Sequence, residues 1–252
     1  KCPECGGELT EEKHFNMMFK TDAGPVEDTA SKIYLRPETA QGMFVNFGNI
    51  IDSFHPKIPF GVVQIGKAFR NEITPKDFIF RTREFEQMEI EYFIKPPKDE
   101  KEWLPLFDQW VKEIRQWLES VGIKKENIYE YDVLKEDLAH YSKKTIDFQY
   151  DYPFKRDELL GFAYRTDFDL KAHGITYNDE ETGKKIIPHV FEPSFGLDRI
   201  VLALLCEAYT EDEMNGEKRV VLRFKPNMAP IKTAVFPLLK NKPELVNKAR
   251  EV

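Results

Sequence analysis

Cysteine is scarce in this chain, with three residues in 252. A small, odd set in a chain of this length excludes a disulfide framework and fits a reducing compartment. Long apolar runs are missing too. No stretch of about eighteen apolar residues exists to span a bilayer, and the opening KCPECGGELT lacks the apolar core of a signal peptide. Low-complexity tracts and internal repeats are absent, which excludes a repeat architecture. Together these absences lead to the expectation of a soluble cytoplasmic protein with no membrane partner. The net charge of −7 argues against a protein that coats nucleic acid along its whole surface. What the chain does have is apolar mass, at 41%, with 13% aromatic. That content offsets ordering entropy and supports at least one large core in one or two domains.

The charge is unevenly placed. From Glu217 to Val252 nine Lys/Arg stand against three Glu, a net of +6 that leaves about −13 for the rest. A basic module on an acidic body could touch a polyanion locally, or simply present a solvated face. At the other end, Cys2 and Cys5 form a CxxC knuckle that could supply half of a tetrahedral zinc site, although the other half is not evident and a tight turn is the alternative. Cys206 lies in an apolar run and reads as core. The five histidines show no metal-ligand spacing.

Periodicity predicts three helices. Met43, Phe44, Phe47, Ile50, Ile51 and Phe54 recur at a 3.6-residue spacing, as do Trp103, Phe107, Trp110, Ile114, Trp117, Leu118 and Val121 before a stop at Gly122. The third runs from about Ser194 through LDRIVLALLCEAY and, apolar nearly all round, should cross the middle of the domain. Strand-like runs occupy 32–35, 61–72, 79–93, 158–170 and 186–192. The connection 73–78 is too short for a parallel crossover, so 61–72 and 79–93 must form a hairpin. An α+β fold follows, a mainly antiparallel sheet flanked by helices over residues 1–224. Within it, 123–157 reads as an insertion with a short helix. Residues 225–252, whose AVFPLL resembles a first strand, would begin a further α/β domain.

The hairpin is unusual in its charge. FRNEITPKDFIFRTREFEQME, Phe69 to Glu89, holds nine charged residues among twenty-one. Strand alternation places Arg81, Arg83, Phe85, Gln87 and Glu89 on one face, with cation, ring and carboxylate each about 6.8 Å further along. A nucleoside triphosphate needs cations for phosphate, a flat surface for its base and an acceptor for its exocyclic amine. A salt-bridged sheet surface is the simpler explanation of the same pattern.

The motifs weigh against that simpler explanation. Phe69-Arg70-Asn71-Glu72, a loop and then Arg81-x-x-x-Phe85-x-x-x-Glu89 resemble motif 2 of the class II aminoacyl-tRNA synthetases, and Glu192-Pro-Ser-Phe-Gly-Leu-Asp-Arg199 resembles their motif 3. Tyr34-Leu-Arg-Pro-Glu-Thr-Ala-Gln-Gly42, Glu86-Gln-Met-Glu89 and Ala229-Pro-Ile-Lys232 are similar to segments of the dimeric glycyl-tRNA synthetase family. The family's motif 1 is not found in this sequence.

The resemblance implies a ligase that activates glycine with ATP and passes it to the 3′ end of tRNA(Gly), with residues 225–252 beginning an anticodon-binding domain and a homodimer expected. It implies catalytic roles for Arg70 and Arg199, with Arg70 on the α-phosphate and Arg81 and Arg199 on the γ-phosphate. It extends ATP contacts over Arg70, Asn71, Glu72, Phe80, Arg81, Thr82, Arg83, Glu84, Phe85, Glu158, Leu159, Ser194, Phe195, Gly196, Leu197 and Arg199. Glycine would meet Glu38, Phe85, Gln87, Glu89, Glu192 and Ser194. Magnesium would sit on Glu158 and Glu192, the latter equally able to face the amino acid. Arg36 or Arg165 is expected to pair with one of the pocket carboxylates. A non-catalytic relative would be expected to lose these groups, yet Arg70, Arg81, Arg199, Glu38 and Glu89 all stand.

Overall fold

A computed structural model describes residues 1–11, 14–25 and 31–252. Two short strands, β1 (Lys20–Asp22) and β2 (Lys32–Tyr34), pair ahead of helices α1 (Ala40–Val45) and α2 (Phe47–Phe54). Then come β3 (Phe60–Phe69), β4 (Glu84–Ile94), the long helix α3 (Glu100–Val121), β5 (Ile128–Asp132), β6 (Lys144–Asp151) and β7 (Arg156–Thr166). A short α4 (Phe168–Ala172) and the ladder of β8 (Tyr177–Asp179) with β9 (Lys184–Ile186) lead to β10 (His189–Gly196) and α5 (Leu197–Ala208). The chain continues through a hairpin of β11 (Tyr209–Met214) and β12 (Glu217–Leu222) to α6 (Pro243–Glu251).

Six strands form one antiparallel sheet in the order β3-β4-β10-β7-β6-β5. Alternation gives each strand a core side and an open side. On the core side, Phe148, Leu160, Phe162, Tyr164, Phe191 and Phe195 pack with Trp103, Phe107, Ile114 and Leu118 of α3 and Ile200, Ala203 and Leu204 of α5. On the other side a smaller cluster, Phe44, Phe47, Phe93, Leu170 and Val190, seats α1 and α2 over one end of the sheet. The rest of that side is polar.

The hairpin is antiparallel as expected, with Gly66 opposite Gln87 and Gln64 opposite Glu89, although the connection between its strands is the longer 70–83. Its strands are shorter than expected. β3 stops at Phe69 and β4 starts at Glu84, with Asp77 and Phe78 at positive φ between them. Phe85, Gln87 and Glu89 therefore share a strand face, whereas Arg81 and Arg83 belong to the loop. Helix α3 matches its periodicity, capped by Asp99 accepting from the Lys101 N–H and ended by Gly122 at φ 119°.

Other expectations need correction. The first helix breaks at Asn46, whose side chain donates to the Gly42 carbonyl at 2.8 Å and competes with the backbone ladder. Phe54, expected on the buried face, is 78% exposed. Helix α5 begins at Leu197 because Ser194–Gly196 extend β10, and it lies on the sheet with Val201 exposed rather than crossing the middle. Segment 123–157 supplies a 3₁₀ turn and the strands β5 and β6, which form one edge of the sheet. Ala234–Leu239 is irregular, with Phe236 and Leu238 exposed, since no neighbouring strand pairs with it.

Phe107 has no solvent contact and meets the rings of Trp103, Phe162 and Phe191. Phe107→Ala is expected to cost about 3–5 kcal/mol, read as a shift of the urea unfolding midpoint.

Candidate active site

The polar side of β3, β4 and β10 carries a cross-strand row, Gly66, Gln87 and Gly196, beside a second, Gln64, Glu89 and Ser194. Two glycines flank Gln87 because arginines lie against the sheet there. A Cβ on Gly66 would stand 2.5 Å from Arg36 Nη2, and one on Gly196 would stand 3.3 Å from Arg199 Cδ. Arg36 donates to the Lys67 carbonyl at 2.7 Å, and the Gln64 amide, oriented to satisfy both neighbours, accepts from Arg36 and donates to the Thr39 carbonyl. Arg36 is thus spent on backbone and amide, not on a carboxylate.

Beyond the row lies a cleft of mixed charge, in which Arg70, Arg81 and Arg199 stand among Glu72, Glu158 and Asp198 and Phe80, Thr82, Phe85 and Leu159 complete the walls. The Arg70 guanidinium sits 5.2 Å from the Phe85 ring centre and donates to the Pro37 carbonyl. The Arg199 guanidinium covers the ring of buried Phe80 at 4.3 Å, and its Nη1 donates to the Glu158 carbonyl and faces the Glu158 carboxylate at 3.3 Å. Glu158 reaches this side through a bulge. Phe148 pairs with Leu160 and Gln149 with Glu158, so Leu159 is the extra residue, and the side chain before it turns from the core to the cleft. There it influences Asp147, whose carboxyl is pushed up to about 6 by burial first and by Glu158 second.

A second cavity adjoins the first, with Arg70, Gln87, Glu158 and Ser194 lining both. Its walls are acidic, with Glu38, Glu89 and Glu192. Glu89 is almost fully buried, but its oxygens are met by the Thr39 N–H at 3.0 Å, the Thr39 hydroxyl, the Ser194 hydroxyl at 2.8 Å and the Gln87 amide at 2.6 Å. Such donors make a buried carboxylate affordable. Glu192 is held differently. Arg165 Nη1 donates to both of its oxygens at 2.8 Å, while Arg165 Nε and Nη2 clasp Asp169 at 2.7 and 2.9 Å. Burial pushes the Glu192 carboxyl up to about 8, with Arg165 offsetting only part of the rise. The guanidinium is itself stacked 3.9 Å from the Tyr141 ring centre. The expected pairing of Arg165 with a pocket carboxylate is present.

Not every expected site residue reaches the cavities. Asn71 faces away, its backbone and side chain donating to the Met17 and Asn16 carbonyls. Arg83 donates to the Glu72 carbonyl, and Glu84 pairs with Lys67 on the surface. Phe195 alternates to the core side against Trp117, and Leu197 opens α5 without lining either cavity. Glu192 gives both oxygens to Arg165, which leaves Glu158 as the freer of the two expected metal ligands. Cys2 and Cys5 shape a tight turn, with Cys2 and Gly7 joined by a backbone hydrogen bond, and no cluster of three or more metal-binding side chains exists among the described residues. Residues that sequence reasoning passed over include Thr39, Tyr141, Asp147 and Asp198, which accepts from the Glu86 N–H at 2.8 Å. Thr39 and Asp198 sit inside the quoted motifs. Tyr141 and Asp147 lay in the presumed insertion, where nothing local marked them.

An antiparallel sheet with one helical face and one polar, arginine- and carboxylate-bearing face defines a class, and the comparison with known families agrees. Residues 19–209 match the family described as tRNA synthetase class II core domain (G, H, P, S and T), and the chain belongs to that family. It is 53% identical over 98% of its length to the glycine–tRNA ligase of Thermus thermophilus, 54% over 95% to that of Caldanaerobacter subterraneus subsp. tengcongensis, and 48% over 98% to that of Deinococcus radiodurans. The chain spans about half the length of these curated relatives, 52% in each case.

Asp147 gives a pH test. Its carboxyl titrates higher folded than unfolded, so the folded state gains protons and stability falls as pH rises from about 4 through about 6. Asp147→Asn should therefore be neutral near pH 4 and stabilising above pH 6, on the order of 1 kcal/mol after discounting for partial exposure. Urea titrations at both pH values in chelator-treated buffer check this.

Proposed function

We propose that this chain is the adenylate-forming core of a glycine–tRNA ligase. The observation that carries the reading is the continuity of the cleft that bears Arg70, Arg81 and Arg199 with the acidic pocket, through Arg70, Gln87, Glu158 and Ser194. A triphosphate in the first cavity and an amino acid in the second would meet at Arg70. The names of the relatives at 48–54% identity support glycine as the amino acid.

In this reading Arg70 neutralises charge on the α-phosphate as the amino acid carboxylate displaces pyrophosphate. Arg81 and Arg199 hold the outer phosphates, Phe85 offers its ring to adenine, and Glu72 accepts from the adenine amine. In-line displacement asks little covalent help of a protein, so positioned guanidiniums carry most of the work. Glu158, partly exposed beside Asp147, has the donor chemistry to hold magnesium, which when bound would offset phosphate charge. Glycine has no side chain to grip. Glu38, Glu89 and Glu192 would attract its ammonium, and side chains packed against the bound amino acid would exclude a β-carbon. Transfer to the 3′ end of tRNA(Gly), a homodimeric assembly and a cytoplasmic location complete the proposal. No helix among the described residues is long and apolar enough to cross a membrane.

Glycine-dependent exchange of pyrophosphate into ATP by the full-length protein tests the reading. Arg70→Ala should lower kcat/KM by about 10²–10³-fold. Arg70→Lys should fail to restore it, since an ammonium lacks the two-pronged fork. Absence of glycine-dependent exchange in the unmutated protein would overturn the assignment.

A further inference from the structure

One buried group has no place in this chemistry. Glu91 lies in β4 two residues past Glu89 on the same face, fully buried, and neither of its carboxylate oxygens has a hydrogen-bond partner. It pairs with Val62 of β3. The β4–β10 register, in which Phe191 pairs Tyr92 and Ser194 pairs Glu89, sets Glu192 beside it. Charged neighbours come from each flanking element: Glu89 on its own strand, Glu192 on β10, Arg165 on β7 and Asp169 on α4. The packed residues of α1, Ala40 and Phe44, bring no charge and no donor side chain.

One guanidinium thus serves a cluster of four carboxyl groups, two of which, Asp169 and Glu192, it touches. Arg165 directs four of its five N–H donors to Asp169 and Glu192, and Glu89 is held by Thr39, Gln87 and Ser194. None of these donors reaches Glu91. An ionised carboxylate without donors in a dry site is strongly unfavourable, and Glu91, unlike Glu192, has no guanidinium donor to offset that cost.

We propose that Glu91 is a positioning residue that works as a neutral carboxylic acid, filling the space behind Glu192 without competing for Arg165 and so keeping the Arg165–Glu192 pair set beneath the acidic pocket. Were Glu91 an anion, it would draw the guanidinium toward β4 and weaken its hold on Glu192. Were it removed, Glu192 would lose its backing. The inference rests on the reading of that pocket as the ammonium site. The direction of the Glu91 shift, well above the carboxylate range through burial first and Glu192 second, agrees with the geometry.

The test has two readouts on the full-length protein. Infrared difference spectra of the unmutated protein against Glu91→Gln should show a carboxylic-acid carbonyl band at neutral pH that the substitution removes. Kinetically, Glu91→Gln, a neutral isostere, should keep the glycine KM within about threefold, whereas Glu91→Ala should raise it about tenfold or more with the ATP KM unchanged. A difference spectrum showing only carboxylate, a Glu91→Gln glycine KM raised as far as that of Glu91→Ala, or a Glu91→Ala enzyme with unaltered glycine KM would each overturn the proposal. The spectrum needs only the isosteric variant, so it decides whether or not the alanine variant folds. A protein that shows the acid band but activates no glycine would sink the functional assignment and leave the protonation of Glu91 standing.

Discussion

A single guanidinium makes the polar side of the sheet possible. Arg165 is nearly without solvent contact, yet it bridges Asp169 and Glu192 and stacks against Tyr141. Taking charges out of water costs several kcal/mol per ion, and geometry this complete is what offsets it. Through Asp169 it anchors the turn into α4, and through Tyr141 it fixes the β5–β6 connection over the pocket. Glu192 is held in place, and the acidic wall acquires a defined shape.

The sheet separates its two tasks by side. Odd-numbered residues of β4 from Phe85 to Glu91 face the cavities or the buried charges behind them, while Met88, Ile90 and Tyr92 face the aromatic core under α3. Rigidity on one side therefore supports geometry on the other, because each strand is shared. Phe195 packs on Trp117 while its neighbours Ser194 and Gly196 line the cavities. A preorganised arrangement of this kind spares the reorganisation that water would require around developing charge.

Much of this was legible in the sequence, for physical reasons. Helix α3 declared itself because many apolar residues kept one period and a glycine followed. The antiparallel hairpin was legible although its connection proved longer than read, and Phe85, Gln87 and Glu89 kept one strand face while Arg81 reached the cleft from the loop. What stayed hidden depends on contacts between distant segments. The break at Asn46 is a competition between one side chain and the helix ladder. The loop positions of Arg81 and Arg83 reflect positive-φ residues at Asp77 and Phe78 that no periodicity announces. Strands β5 and β6 were missed because a polar, tyrosine-rich segment reads as peripheral until Phe148 and Tyr150 are seen to complete the core. Glu91 looked like one more charge on a strand, and only burial distinguishes it from Glu89.

The extra residue at Leu159 means that β7 addresses the cleft with an even-numbered position before the bulge and with odd-numbered ones after it. The strand is in effect two half-strands of opposite parity joined at one point. Straightening the bulge, so that Leu159 pairs with Gln149, would swap the inward and outward sets on the N-terminal side of the joint. A carboxylate would then be buried among aromatic rings, and a leucine would be left where the arginine-lined cleft opens.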